Sequence, residues 1–152
     1  MKWTAKDVEL YLNTKEYVDT AIIPLNGIDF QEQAIMSGSM HEYTAIIVQE
    51  VERQFKGRVL LLPPLTYSME WDEVKKIHFF TEWLDTLKKQ EIPFIFFITC
   101  DTEWKKVSAG MSDHLITVPL LPLDTMEDEY KQDLIGGQVK KVLNTIIDSW
   151  AN

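Results

Sequence analysis

The run Ile92–Cys100, IPFIFFITC, constrains the fold more than any other stretch of this chain. It is the most apolar run present, and Asp101 follows it at once. It is too short for a buried helix and is apolar on both alternating faces, as a strand covered on both sides must be. Pro93 is tolerable at a strand's first residue, where its missing N–H interrupts no ladder. The run predicts a central strand of a parallel sheet with the other segments packed around it.

Taken in order, Thr4–Tyr17 reads as a helix, with Thr4 and Asp7 as a capping-box variant and Val8, Tyr11 and Leu12 as its stripe. Thr20–Leu25 reads as a short strand ended by Pro24 and an Asn26–Gly27 turn, and Ile28–Met36 as a polar loop. Ser39 and Glu42 have the S-x-x-E spacing before a helix from Met40 to Phe55. Its apolar residues Tyr43, Ile47, Val51 and Phe55 recur every four positions, and Gly57 is placed to stop it. Arg58–Leu62 is a second buried strand, closed by Pro63–Pro64 and followed by a loop, LTYSMEW. A helix over Asp72–Gln90 carries Val74, Ile77, Thr81, Leu84 and Leu87 on one face. After the central strand come a short helix within Asp101–Gly110, ended by Ser108–Gly110, and a fourth strand over His114–Leu120. The last helix spans Glu127–Trp150, interrupted near Gly136–Gly137, with Val139, Val142, Leu143, Ile146 and Trp150 as its stripe.

This alternation of strands and helices predicts one α/β domain over residues 1–152: a three-layer, Rossmann-like unit. Its mainly parallel sheet has about four strands, with helices on both faces. Ligands of such sheets bind outside the carboxyl ends of the strands. That rule selects the loops Asn26–Met36, Leu65–Trp71, Asp101–Trp104 and Leu121–Met126.

Composition narrows the partners. Asp plus Glu is 24 against 15 Lys plus Arg, a net charge of −9, so the field of the molecule disfavours nucleic acid and anionic membranes. Cys100 is the one cysteine, which permits no intrachain disulfide and suits a reducing compartment. No run reaches the roughly 20 apolar residues of a membrane helix, and the start, MKWTAKDVEL, has no apolar core of a signal peptide. A cytoplasmic location is the simplest expectation.

Four sets of residues could carry chemistry. Asp29, Glu32, Glu70, Asp101 and Glu103, with His41 and Tyr67, are candidates for a pocket at the carboxyl edge. If Glu32, His41, Glu70 and Asp101 converged, they could hold a divalent ion and activate water. Their spacing matches no metal motif. Ser37, Gly38 and Ser39 at a helix start could receive an anion, although Ser39 as a simple cap explains them as well. Cys100 beside Asp101 could act as a nucleophile only with a base nearby, and buried inert cysteine is the commoner case. The rings of Trp71, Phe79, Phe80, Trp83 and Trp104 are expected in the core, with the Phe79–Trp83 pair as an alternative partner surface. Neither GxGxxG nor GxxxxGK[ST] is present, so no nucleotide cofactor is implied.

Two resemblances add to this reading. MKWTAKDVELYLNTKEYVDTAIIPL, GRVLLLPPLTY and the FFIT-x-DTEW segment resemble, over essentially the whole chain, the YpiF-like family of uncharacterised proteins from Gram-positive bacteria. That implies a bacterial, cytoplasmic, single-domain protein and no particular chemistry. Over the first half, IIPLNG, Ser37–Met40 and LLLPPLTY are similar in place and order to the creatininase family of metal-dependent amidohydrolases. Phe30–Gln31 and Glu32 stand where that family has its loop glutamate and histidine, Met40 where it has an aspartate, and Thr99–Thr102 where it has a histidine-bearing turn. This implies a creatininase-like fold with the dinuclear site removed. The expectation is therefore a non-catalytic domain that binds a protein or small ligand, with no cofactor or metal and with a homo-oligomer left open. The alternative is a hydrolase with a rebuilt acidic site.

Overall fold

The computed structural model describes residues 1–107, 111–122 and 125–152. Its elements are α1 (Ala5–Asn13), β1 (Thr20–Ile28), α2 (Ala34–Gln54), β2 (Val59–Leu61), β3 (Leu65–Ser68), α3 (Glu73–Lys88), β4 (Phe94–Thr99), α4 (Trp104–Val107), β5 (Leu115–Thr117) and α5 (Asp128–Ala151). The strands form one sheet in the order β2–β1–β4–β5, with β3 also beside β1. All the pairings are parallel.

β1 is the strand with most partners. It pairs with β2 through Thr20–Ile22, with β3 through Leu25–Ile28 and with β4 through Thr20–Pro24. β2 and β3 thus share one place in the sheet, parted by Pro63–Pro64. The expected end at Leu25 was too early, because Pro24 does not stop the strand. The Ile22 carbonyl accepts from Leu62 N and the Ile28 carbonyl from Met69 N, both on the β2/β3 side. By the two-residue alternation of a strand, Pro24 turns its missing N–H to that same side, where the β2–β3 break has no ladder bond to lose. β3 itself was expected as loop. Its Leu65 and Tyr67 are buried while Thr66 is exposed, a period of two compressed into four residues.

Alternate residues of the strands supply two apolar clusters, one on each face. Ala21, Ile23, Leu25 and Phe97 meet Tyr11 of α1, Phe80 and Leu84 of α3 and Trp104 of α4. Ile22, Phe96 and Ile98 meet Ile47 and Val51 of α2 and Val142 and Ile146 of α5. The sheet is therefore flanked by helices on both sides, as the fully apolar β4 run required.

The helices show where pattern misleads. Thr4 caps α1 as expected, its hydroxyl accepting from Asp7 N at 3.2 Å, but α1 ends at Asn13 and Leu12 is 57% exposed. α2 starts at Ala34, well before Met40, so Ser39 lies inside it and caps nothing. Gly57, at φ 95°, takes the left-handed turn that follows α2. In α3 the buried face is Phe80, Leu84 and Leu87, while Val74 and Thr81 are exposed. Asp72 caps α3, accepting from Lys75 N at 2.8 Å. β5 stops at Thr117 rather than Leu120, and the Val118 amide makes the last bond to β4, donating to the Thr99 carbonyl at 2.9 Å. α5 runs unbroken through Gly136–Gly137, because glycine lowers helix propensity without removing a hydrogen bond. The expected end of the short α4 at Ser108–Gly110 falls outside the described residues.

Two polar ties hold the amino end of the sheet. Arg58 lies 3.6 Å over the Trp150 ring and bonds both Asp19 oxygens at 2.9 Å, while Trp150 Nε1 donates to Thr20 Oγ1 at 2.8 Å. The Met1 ammonium donates to buried Glu52 at 2.7 Å. Among the described residues no helix is long and apolar enough to cross a membrane.

Candidate functional site

At the carboxyl edge, one glycine decides the local structure. Gly27 of β1 pairs with Tyr67 of β3, and Asp101 follows β4 on the far side of β1. Tyr67 lays its ring across Gly27 and donates its hydroxyl to Asp101 Oδ2 at 2.5 Å. A Cβ on Gly27 would stand 2.9 Å from Tyr67 Cζ and Oη and 2.7 Å from Met69 Cγ. A bare backbone on the intervening strand is thus what lets Tyr67 span the sheet. Asp101 Oδ1 also accepts from Glu103 N at 3.1 Å, and Asp101 N donates to Thr99 Oγ1 at 3.0 Å. Burial, and then the Asp101 carboxylate, push the Tyr67 hydroxyl well above the ordinary tyrosine range. Tyr67 and Asp101, two of the expected pocket residues, are therefore together but sealed, at 1% and 5% exposure.

The other face of the same edge carries an open cleft of about 460 Å³, lined by Asn26, Asp29, Ser37, Gly38, His41 and Thr66 among others. Asn26 Nδ2 lies 2.7 Å from His41 Nδ1. With the amide donating, His41 keeps its proton on Nε2. Asp29 is occupied in shaping the loop, since its Oδ2 accepts from Gln33 N at 2.7 Å. Asp29, Ser37, Gly38 and His41 thus meet here, and Asn26 is the partner that sequence reading missed, having been read as a turn residue.

The remaining acids do not join them. Glu32 and Glu70 are exposed, and Glu103 is exposed and paired with Lys106 at 3.2 Å. Among the described residues no three His, Cys, Asp or Glu side chains are grouped to hold a metal ion. The alternative of a site built from Glu32, His41, Glu70 and Asp101 finds no such grouping among the described residues, and Asp101 is turned inward to Tyr67. The reading of Ser37–Ser39 as a helix start is also corrected. The Ser37 amide donates to the Gln33 carbonyl at 2.8 Å, and its hydroxyl to the Ala34 carbonyl at 2.8 Å. Met40 is a core residue. Cys100 is buried, accepts from Thr44 Oγ1 at 3.2 Å, and burial pushes its thiol up.

The two glycines of this edge should respond oppositely to alanine. Gly27→Ala forces the ring and Met69 to move and should cost about 1–3 kcal/mol. Gly38, inside α2 with nothing within 4 Å of a built Cβ, should gain up to about 1 kcal/mol as alanine. Urea unfolding of the two variants checks both signs, and a neutral Gly27→Ala would remove the role given to that glycine.

A second concavity was not foreseen at all. α1 and α3 stand apart over β2 and β3, leaving a groove of about 500 Å³ whose walls include Trp3, Leu12, Leu60, Pro63, Trp83 and Ile92. Trp3, Leu12 and Trp83 are 50%, 57% and 37% exposed. The Phe79–Trp83 pair divides here, Phe79 packing edge-on against Trp71 at 5.6 Å while Trp83 faces the groove. The signal in the sequence was an excess of apolar residues on α1, with Leu10 and Leu12 beside the buried Tyr11.

Known proteins match this chain along its length. The model of a family described as a protein of unknown function (DUF2487) matches residues 9–150. The uncharacterized protein YpiF of Bacillus subtilis (strain 168) is 31% identical over 154 residues, covering 99% of each chain. No solved structure matches. The chain therefore belongs to the DUF2487 family, alongside YpiF.

Proposed function

We propose that this chain is a single, non-catalytic binding domain of Rossmann-like design that takes an apolar ligand into the groove between α1 and α3. The observation that carries the reading is the groove itself: about 500 Å³, walled by aromatic and aliphatic side chains with few polar groups. Ligand sites have this size and character, and exposed apolar surface gathered in one place is costly unless something covers it. The strand order supports the Rossmann-like part, since β1 lies between β2/β3 and β4 and the chain winds both ways from it. One side of the crevice such a sheet offers its ligands is closed here by Tyr67 bonding Asp101, and the open cleft on its other side is lined by Asn26, Asp29, Ser37 and His41 among others, so an apolar ligand finds its walls elsewhere. A cytoplasmic location belongs to the same proposal.

N-phenyl-1-naphthylamine, excited by energy transfer from Trp3 and Trp83, reads the groove directly. The intact chain should bind it with micromolar affinity. Leu12→Glu, at an exposed wall position, should weaken binding at least tenfold with unchanged circular dichroism. Burying one uncompensated charge costs more than the roughly 1.4 kcal/mol that tenfold represents. Thr86→Glu on the opposite wall should act alike. Probe binding indifferent to both variants would overturn the proposal.

A further inference from the structure

We infer that the groove's ligand is an amphiphile with an apolar body and an anionic head, and that Lys15 is the residue that selects the head. The inference rests on the groove being a ligand site. Its new content is the charge of what enters. The chain has 24 acidic residues and a net charge of −9, yet no carboxylate lines the groove. The charged residue that does line it is a cation, Lys15. Lys15 stands just past α1, exposed, with Nζ 5.9 Å from the ring centroid of the buried Tyr11 that also lines the groove. Among the described residues Lys15 forms no ion pair.

A lysine in this position lays its methylenes along apolar surface and keeps its ammonium at the rim, where a carboxylate or sulfonate head can reach it. An alkyl or aryl body then lies between Leu12 and Trp83. A cationic amphiphile would meet the ammonium and gain nothing in return. A neutral one would use the walls and leave Lys15 idle. The chain's overall charge repels anions at long range, so a preference for an anionic head has to come from this one contact.

Decanoate and 1-decanol, which share a chain length, separate the head from the body. Each is titrated against bound N-phenyl-1-naphthylamine on the intact chain. Lys15→Met should weaken decanoate about three- to fivefold and leave decanol and the probe unchanged. Lys15→Arg should restore decanoate. Lys15 is exposed, so the variants keep the fold. If decanoate and decanol weaken together in Lys15→Met, or neither changes, the head-group inference is overturned while the groove stands. If the probe does not bind the intact chain, the groove reading falls first. A dimer in sedimentation that Leu12→Glu dissociates, with no probe bound by the intact chain, would give the groove to a second copy and overturn both.

Discussion

Trp104→Ala should lower the unfolding free energy by about 3–5 kcal/mol, the largest loss expected from any single side chain here. Trp104 is fully buried although it sits on a helix of four residues. It meets Tyr67 edge-on at 5.2 Å between ring centroids and Phe80 at 5.8 Å, and Phe80 meets Phe97 of β4 at 4.2 Å. Removing the indole leaves a void bounded by rings that are themselves fixed, Tyr67 by Asp101 and Phe97 by the sheet. A void whose walls cannot collapse carries the upper end of the penalty for its size. α4 is too short to be stable by its own hydrogen bonds, so losing its anchor should also fray its four residues. A melting point lower by on the order of 10 °C is expected. Trp104→Phe, which keeps a ring in place, should cost clearly less. A loss under about 1 kcal/mol for Trp104→Ala would mean that the ring cluster does not organise this edge.

The parts of this architecture that were legible in the sequence are those written in local periodicity. β4 could be read because its apolar run admits only a strand covered on both faces. The Thr4 cap could be read because a cap is a contact three residues long. The start of α2 could not. Ile35 and Met36 are exposed in its first turns, so the apolar stripe that marks a helix begins only at Met40, and Ser39–Glu42 imitates a capping box there. β3 escaped notice because four residues between prolines and an acidic turn hold only two periods of alternation. The candidate residues show the same division. Tyr67 and Asp101 were selected from their loops, but their contact spans 34 positions and depends on an absent side chain at Gly27. The groove depends on the distance between α1 and α3, which no local pattern records.

Tyr67→Phe should cost about 1.5–3 kcal/mol near neutral pH, because it removes a hydrogen bond to a carboxylate and leaves Asp101 Oδ2 buried without that donor. The penalty should shrink as the solution becomes alkaline. In the folded chain the Tyr67 hydroxyl is held well above its ordinary value of 10.0 by burial and by Asp101. Above pH 10 the unfolded chain gives up that proton while the folded chain keeps it. The folded state then binds more protons, so the stability that Tyr67 supplies is complete below pH 10 and declines as the pH rises through and beyond it. At pH 11 the decline should amount to about 1.4 kcal/mol for one fully shifted tyrosine. Tyr43, pushed up to about 12 by burial and by Cys100, adds an alkaline loss of the same sign in both proteins. Phenylalanine cannot titrate, so the difference between the two proteins isolates Tyr67. Urea unfolding followed by circular dichroism from pH 7 to 11 should give stability curves that converge above pH 10. Curves that stay parallel would mean that the Tyr67 hydroxyl is not bound to Asp101 in solution, and the closed crevice at the carboxyl edge would have to be reconsidered as an open one.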